Sequence, residues 1–126
     1  MSESREYIKK EQENGSVQIS EDVIAAIAAT AVREVEGVYS LSGGVSGDLA
    51  AILGKKTDKG IKLVLGEKSV AVECNVVVRF NHQIVDVAKA VQDAIITAVA
   101  DMTGIVVDFV NVNVTGIAVP KPAEKN

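Results

Sequence analysis

The sequence predicts an α+β fold: a two-layer sandwich in which a mixed sheet carries both helices on one face. Two observations in the second half and one in the first predict it. Val70, Val72, Cys74, Val76, Val78 and Phe80 alternate with Ala71, Glu73, Asn75, Val77 and Arg79, the period of a half-buried strand. From Ile84 to Met102 the apolar spacing changes to that of a helix. Gly104 then ends the run and a Val- and Asn-rich strand follows from Ile105 to Val114. The first half echoes this weakly, with a helix that ends at Gly37 and continues as a strand from Val38. The resulting order is β-α-β-β-β-α-β. Right-handed crossovers would place both helices on the same side of one sheet.

Each element has a local cause. Met1 to Gly15 is charged and polar apart from Tyr7 and Ile8, and reads as a flexible polar tail, at most a nascent helix or a docking arm. One domain then spans residues 16–119. Ser16 to Ile19 makes a short strand with Val17 and Ile19 on one face. Ser20 is the N-cap of the first helix, and Glu21 and Asp22 complement the helix dipole. Ile24, Ile27, Ala28, Ala31 and Val35 follow helical spacing, and the alanines allow close approach to a neighbour. Val38 to Leu41 is a strand. The glycine-rich stretch from Ser42 to Gly60 is irregular, with one or two helical turns expected at Asp48 to Leu53. Ile61 to Leu65 and Ser69 to Phe80 are joined by Gly66-Glu67-Lys68 and should pair as a hairpin.

The long helix is expected to start near Asn81. Ile84, Ala88, Val91, Ile95, Ala98 and Met102 form its apolar stripe. In the last strand Ile105, Val107 and Phe109 share one parity and Val110, Val112 and Val114 the other. That change requires a bulge or bend near Asp108–Val110. Pro120 and Pro122 begin a polar tail, residues 120–126.

Composition excludes several function classes. Aromatics are only 3% of the chain and there is no Trp, which argues against base stacking on an aromatic platform. The net charge of −4 is the wrong sign for a general nucleic-acid or anionic-lipid binder. A single cysteine rules out an internal disulfide, and Cys74 is in phase with the apolar face of its strand, as a buried thiol would be. No apolar run approaches the roughly 18–20 residues of a membrane span, and the N-terminus has no apolar core of a secretory signal. Cytoplasmic residence is the expectation.

No catalytic constellation is visible, so no catalytic residue, cofactor or metal is expected. The single histidine, His82, stands at the mouth of the long helix with Asp86 four residues on, which suits a capping or surface role. Gly47 and Gly54-Lys55-Lys56 resemble a P-loop only superficially, because six residues separate the glycines and no Ser or Thr follows the lysines. Gly44-Val45-Ser46-Gly47 matches a GxxG clamp but follows a strand where that clamp joins helices. Lys55, Lys56, Lys59, Lys62 and Lys68 form a basic cluster in an acidic chain. This cluster is either a solvated loop or a contact for an acidic partner, anionic lipid or RNA. Asn111 and Asn113 share one face of a strand, where Asn is disfavoured, and mark a solvated face or an interface. These seven residues are the candidate interaction site.

Three strings carry a family resemblance. Val17-Gln18-Ile19-Ser20 leads into an Ala-rich helix ending Glu36-Gly37-Val38. Gly60-Ile61-Lys62-Leu63 precedes the Val70–Arg79 strand. Ala90-Val91-Gln92 runs through Met102-Thr103-Gly104 to Val110-Asn111-Val112-Asn113-Val114-Thr115-Gly116-Ile117. Over residues 16–119 the chain resembles the alkaline-shock general stress protein family of Gram-positive bacteria. The family usually has an aromatic–Gly pair before the long helix. Here Phe80 is followed by Asn81, which tolerates the left-handed conformation and so preserves the turn. The resemblance implies a non-enzymatic, cytoplasmic protein of the cell-envelope stress response. It would be held at the inner face of the membrane by a small membrane-anchor protein, and would self-associate as a scaffold. Some members are linked to control of lipid synthesis. No small-molecule substrate and no direct membrane insertion are expected. An RNA-binding module using Lys55–Lys68 and Gly44–Gly47 is the alternative.

Overall fold

The computed structural model describes residues 6–42 and 60–120. The glycine loop, the turns expected at Asp48–Leu53, Lys55, Lys56, Lys59 and the tail after Pro120 lie outside the described residues. The element order is β1 (Tyr7–Gln12), β2 (Gly15–Ser20), α1 (Glu21–Arg33), β3 (Val38–Leu41), β4 (Ile61–Leu65), β5 (Ser69–Arg79), α2 (Ile84–Thr103) and β6 (Val106–Ala118).

The centre is β5. Along one edge it pairs in parallel with β6 over its whole length, from Ser69↔Val106 to Arg79↔Ala118. The other edge is shared. β3 pairs antiparallel with Val76–Val78, and β4 pairs antiparallel with Val70–Cys74. The two short strands run in the same direction, end to end, and meet at Asn75. The Ser42 amide donates to the Asn75 carbonyl at 2.9 Å, and the Asn75 amide donates to the Gly60 carbonyl at 2.9 Å. In effect β3 and β4 are one edge strand interrupted by residues 43–59. Gly60, at φ +87°, is needed at the junction, because a Cβ there would lie 2.8 Å from the Ser42 carbonyl oxygen.

The sheet is therefore mixed, as expected, with the β4–β5 hairpin in place. The expected first strand, by contrast, is not part of it. Among the described residues β2 pairs only with β1, from Tyr7↔Ser20 to Gln12↔Gly15, in a separate two-stranded ribbon. Residues 7–12, expected within a polar tail, form β1 because Ile8 has a core to enter. Ile8 is fully buried, opposite Ile19, which packs against the core from β2. Lys10 then reaches the C-terminal end of α2 and donates to the Gly104 carbonyl at 3.2 Å, a cation where the helix dipole favours one.

Both helices cover one face of the sheet. Ser20 caps α1 as expected, accepting from the Val23 amide at 3.2 Å. The buried stripe of α1 is Ile24, Ala25, Ala28, Ala29 and Val32, shifted from the expected one. Ile27 and Val35 are only partly buried. In α2 it is Val87, Val91, Ile95 and Val99, while Ile84 and Met102, assigned to the core from spacing, are exposed. Val70, Val72, Cys74, Val76 and Val78 complete the layer from β5, all essentially inaccessible. Each such side chain contributes roughly 1.5–3 kcal/mol of burial.

α2 starts at Ile84 rather than near Asn81, because Asn81 is at φ +74° and cannot join a right-handed helix. It is the only non-glycine residue with positive φ among the described residues. Asn81→Ala should lower stability by about 1 kcal/mol and Asn81→Gly should raise it by a few tenths, as read from urea midpoints.

The bulge expected near Asp108 is present. Val107 opposes Val70 and Phe109 opposes Ala71, so Asp108 is the extra residue and Phe109 turns outward. Its carboxylate accepts from the Ser69 hydroxyl at 2.7 Å. A second register shift makes Thr115 an extra residue between Val114 and Gly116. Gln92 of α2 donates to the Val110 carbonyl at 2.9 Å, tying the helix to β6 just past the first bulge.

Burial and the neighbouring Glu73 push the Cys74 thiol up from 9.0 to about 11. With the folded value above the unfolded one, the native state keeps its proton while the unfolded chain loses it. Stability is therefore undiminished below pH 9 and falls as pH rises from about 9 to about 11. Cys74→Ala should flatten that limb of a stability–pH curve. In the folded protein a thiol reagent should label Cys74 no faster than the protein opens.

Candidate functional site

With α1 and α2 on one face, none of the described elements covers the opposite face of the sheet. It is formed by the outward residues of β5 with those beside them on β4 and β6. Lys62, Glu73 and Asn111 make one row across the three strands, and Val64, Ala71 and Phe109 make the next. Asn75 and Asn113 pair in a third. The Asn113 amide donates to the Glu73 carboxylate at 2.9 Å and to the Asn75 side-chain carbonyl at 2.8 Å. Ser42 and Thr115 hydroxyls meet at 2.8 Å, and Thr115 also donates to the Val76 carbonyl at 3.3 Å. A hydrogen-bonded polar band thus crosses the middle of the face.

Three of the seven residues marked from sequence meet on this face: Lys62, Asn111 and Asn113. Lys68 lies in the β4–β5 turn, exposed. Lys55, Lys56 and Lys59 lie outside the described residues. Lys62 and Asn111 border a small depression of about 140 Å³ that also holds Val64 and Phe109. The strand parity of Asn111 and Asn113 located the face. Val64, at 71% exposure, and Phe109, at 52%, were missed. Phe109 was assigned to the inward series before the bulge reversed it, and Val64 lies in a run, Ile61 to Leu65, that is apolar on both sides of Lys62.

At the far end of the face β3 bulges at Tyr39, between the pairs Val38↔Val78 and Ser40↔Val77. The Arg79 guanidinium lies over the Tyr39 ring, 5.2 Å from its centroid. His82 follows in the turn to α2, its ring carbons about 3.1–3.3 Å from the place a side chain on Gly37 would take. No hydrogen bond joins it to Asp86. Its Nδ1 is buried without a hydrogen-bond partner among the described residues. Among those residues no cluster of His, Cys, Asp and Glu could hold a metal ion, and no helix is long and apolar enough to cross a membrane.

The family model for alkaline shock protein 23, described as of cell envelope-related function, matches residues 9–119. The chain belongs to that family. Its relatives include two proteins of Bacillus subtilis (strain 168). YqhY is 30% identical over 112 residues, which is 88% of this chain and 83% of that protein. YloU is 27% identical over 111 residues, 86% of this chain and 92% of that one. Among solved structures, the copper form of the MamM C-terminal domain aligns over 84% of this chain and 92% of that one, with a TM-score of 0.47 and 9% identity. Within the alkaline shock protein family the match begins at Lys9, inside β1, so the ribbon lies largely within the family domain.

Proposed function

We propose that this envelope-related family member is a non-enzymatic scaffold. A small membrane-anchor protein holds it at the inner face of the membrane, and it presents the uncovered sheet face to its partners. Family membership carries this reading. The face supports it: an apolar pair, Val64 and Phe109, stands beside a polar band whose hydrogen bonds are already arranged, the mixture common at non-obligate interfaces. A link to control of lipid synthesis would act through the same contacts.

The test is cross-linking in the native cell, with capture of the full chain from the membrane fraction. An integral membrane protein should be recovered with the natural sequence and lost with Phe109→Asp or Val64→Asp. Both positions are exposed, so these variants should keep the fold, which circular dichroism can check. Recovery of no membrane protein, or equal recovery with both variants, would remove the proposed interface.

A further inference from the structure

The cavity at the Tyr39 end of the sheet has a different character from the rest of the face. Its volume is about 730 Å³, and Tyr39, Val77, Arg79, Phe80, Ile117 and Val119 supply most of its wall. Small-molecule sites commonly span roughly 300–1,000 Å³. It lies where β5 and β6 both finish, at the carboxyl ends of two parallel strands.

The walls are apolar and partly exposed: Phe80 is 50% accessible, Ile117 41% and Val119 63%. Among the described residues they hold one cation, Arg79. Arg79 makes no ion pair with any described residue, since the one ion pair among these joins Lys9 and Glu11. Its guanidinium is stacked on Tyr39, which limits the orientations of a group otherwise costly to order. A planar, pre-oriented fork of donors over an apolar floor is the complement of a carboxylate on an apolar body.

We propose that this cavity binds a small amphipathic carboxylate, with its anionic head on Arg79 and its apolar body against Val77, Phe80, Ile117 and Val119. Among the described lining residues only His82 and Tyr39 carry acid–base groups, and none is a Ser, Thr or Cys nucleophile, so the occupant is read as a ligand and not a substrate. The site is distinct from the Val64–Phe109 patch, so it can be occupied whether or not a membrane-anchor partner exists.

The probe is hydrocinnamate, with hydrocinnamyl alcohol as its neutral counterpart, titrated into the isotope-labelled full chain and followed by amide chemical shifts. Hydrocinnamate should bind with a dissociation constant on the order of 1 mM or lower and move the amides of Val77, Arg79, Phe80 and Ile117. The alcohol should bind roughly tenfold more weakly. Arg79→Gln should weaken the carboxylate by roughly tenfold or more and leave the alcohol unchanged, and Arg79→Lys should recover part of the loss. No shifts at roughly 10 mM probe, shifts confined to other parts of the chain, or equal carboxylate affinity in Arg79→Gln would overturn the proposal.

Discussion

Gly37→Ala should lower unfolding stability by about 3 kcal/mol, from positive-φ strain and overpacking together. Gly37 joins the end of α1 to β3 at φ +97°, a region that residues with a Cβ rarely adopt. The added carbon would also lie 2.7 Å from a Val87 methyl and 3.1 Å from the His82 ring. Val87 is in the buried stripe of α2 and cannot withdraw without disturbing the core. With a urea slope of about 1.5 kcal/mol per molar, the midpoint should fall by about 2 M. A shift under about 0.5 M would mean that the α1–β3 junction is far more pliant than its packing implies.

The second large effect is expected at Ile8. Ile8→Asp would place a carboxylate among apolar neighbours with no partner and should cost about 3–5 kcal/mol, a large part of a typical domain's stability. Ile8→Val, which removes one methylene, should cost about 0.5–1.5 kcal/mol. Hydrogen exchange distinguishes loss of the ribbon from loss of the domain. β1 and β2 share no strand ladder with the main sheet, so in Ile8→Asp their amides should lose protection before those of β5 and β6. The Glu21 amide should open with them, because it donates to the Glu6 carbonyl across the same junction. Simultaneous loss of protection everywhere would show that the ribbon and the domain unfold as one unit.

What was legible in the sequence follows from which interactions are local. The β5–α2–β6 unit and the bulge at Asp108 announce themselves by a change of period between neighbouring residues, and the β4–β5 hairpin by its Gly66-Glu67-Lys68 turn. β1 does not. Lys9, Lys10, Glu11 and Gln12 look solvated, and a single isoleucine carries the burial. The signal that could have found it is Asn14-Gly15, a hairpin dipeptide directly before the Val17/Ile19 strand. In α2 the buried stripe advances in steps of four, Val87, Val91, Ile95 and Val99, and Ile84 and Met102, three residues beyond its ends, lie off it.

At the candidate site the same distinction holds. Asn111 and Asn113 were readable because two amides on one strand face are unusual. The Tyr39–Arg79 stack was not, since it joins residues forty positions apart across a bulge that no local pattern predicts. That Lys62 shares a face with the asparagines depends on the register of β4 on β5 and of β6 on β5, which is a property of the sheet and not of any one segment.

The interrupted edge strand has an engineering consequence. Ser42 and Gly60 are held side by side by a single residue of the central strand, so a connection between them leaves and rejoins the sheet at fixed, neighbouring points. Lengthening such a connection costs only about 0.6 kcal/mol for each doubling. The junction is therefore a natural port for grafting a reporter or a foreign peptide.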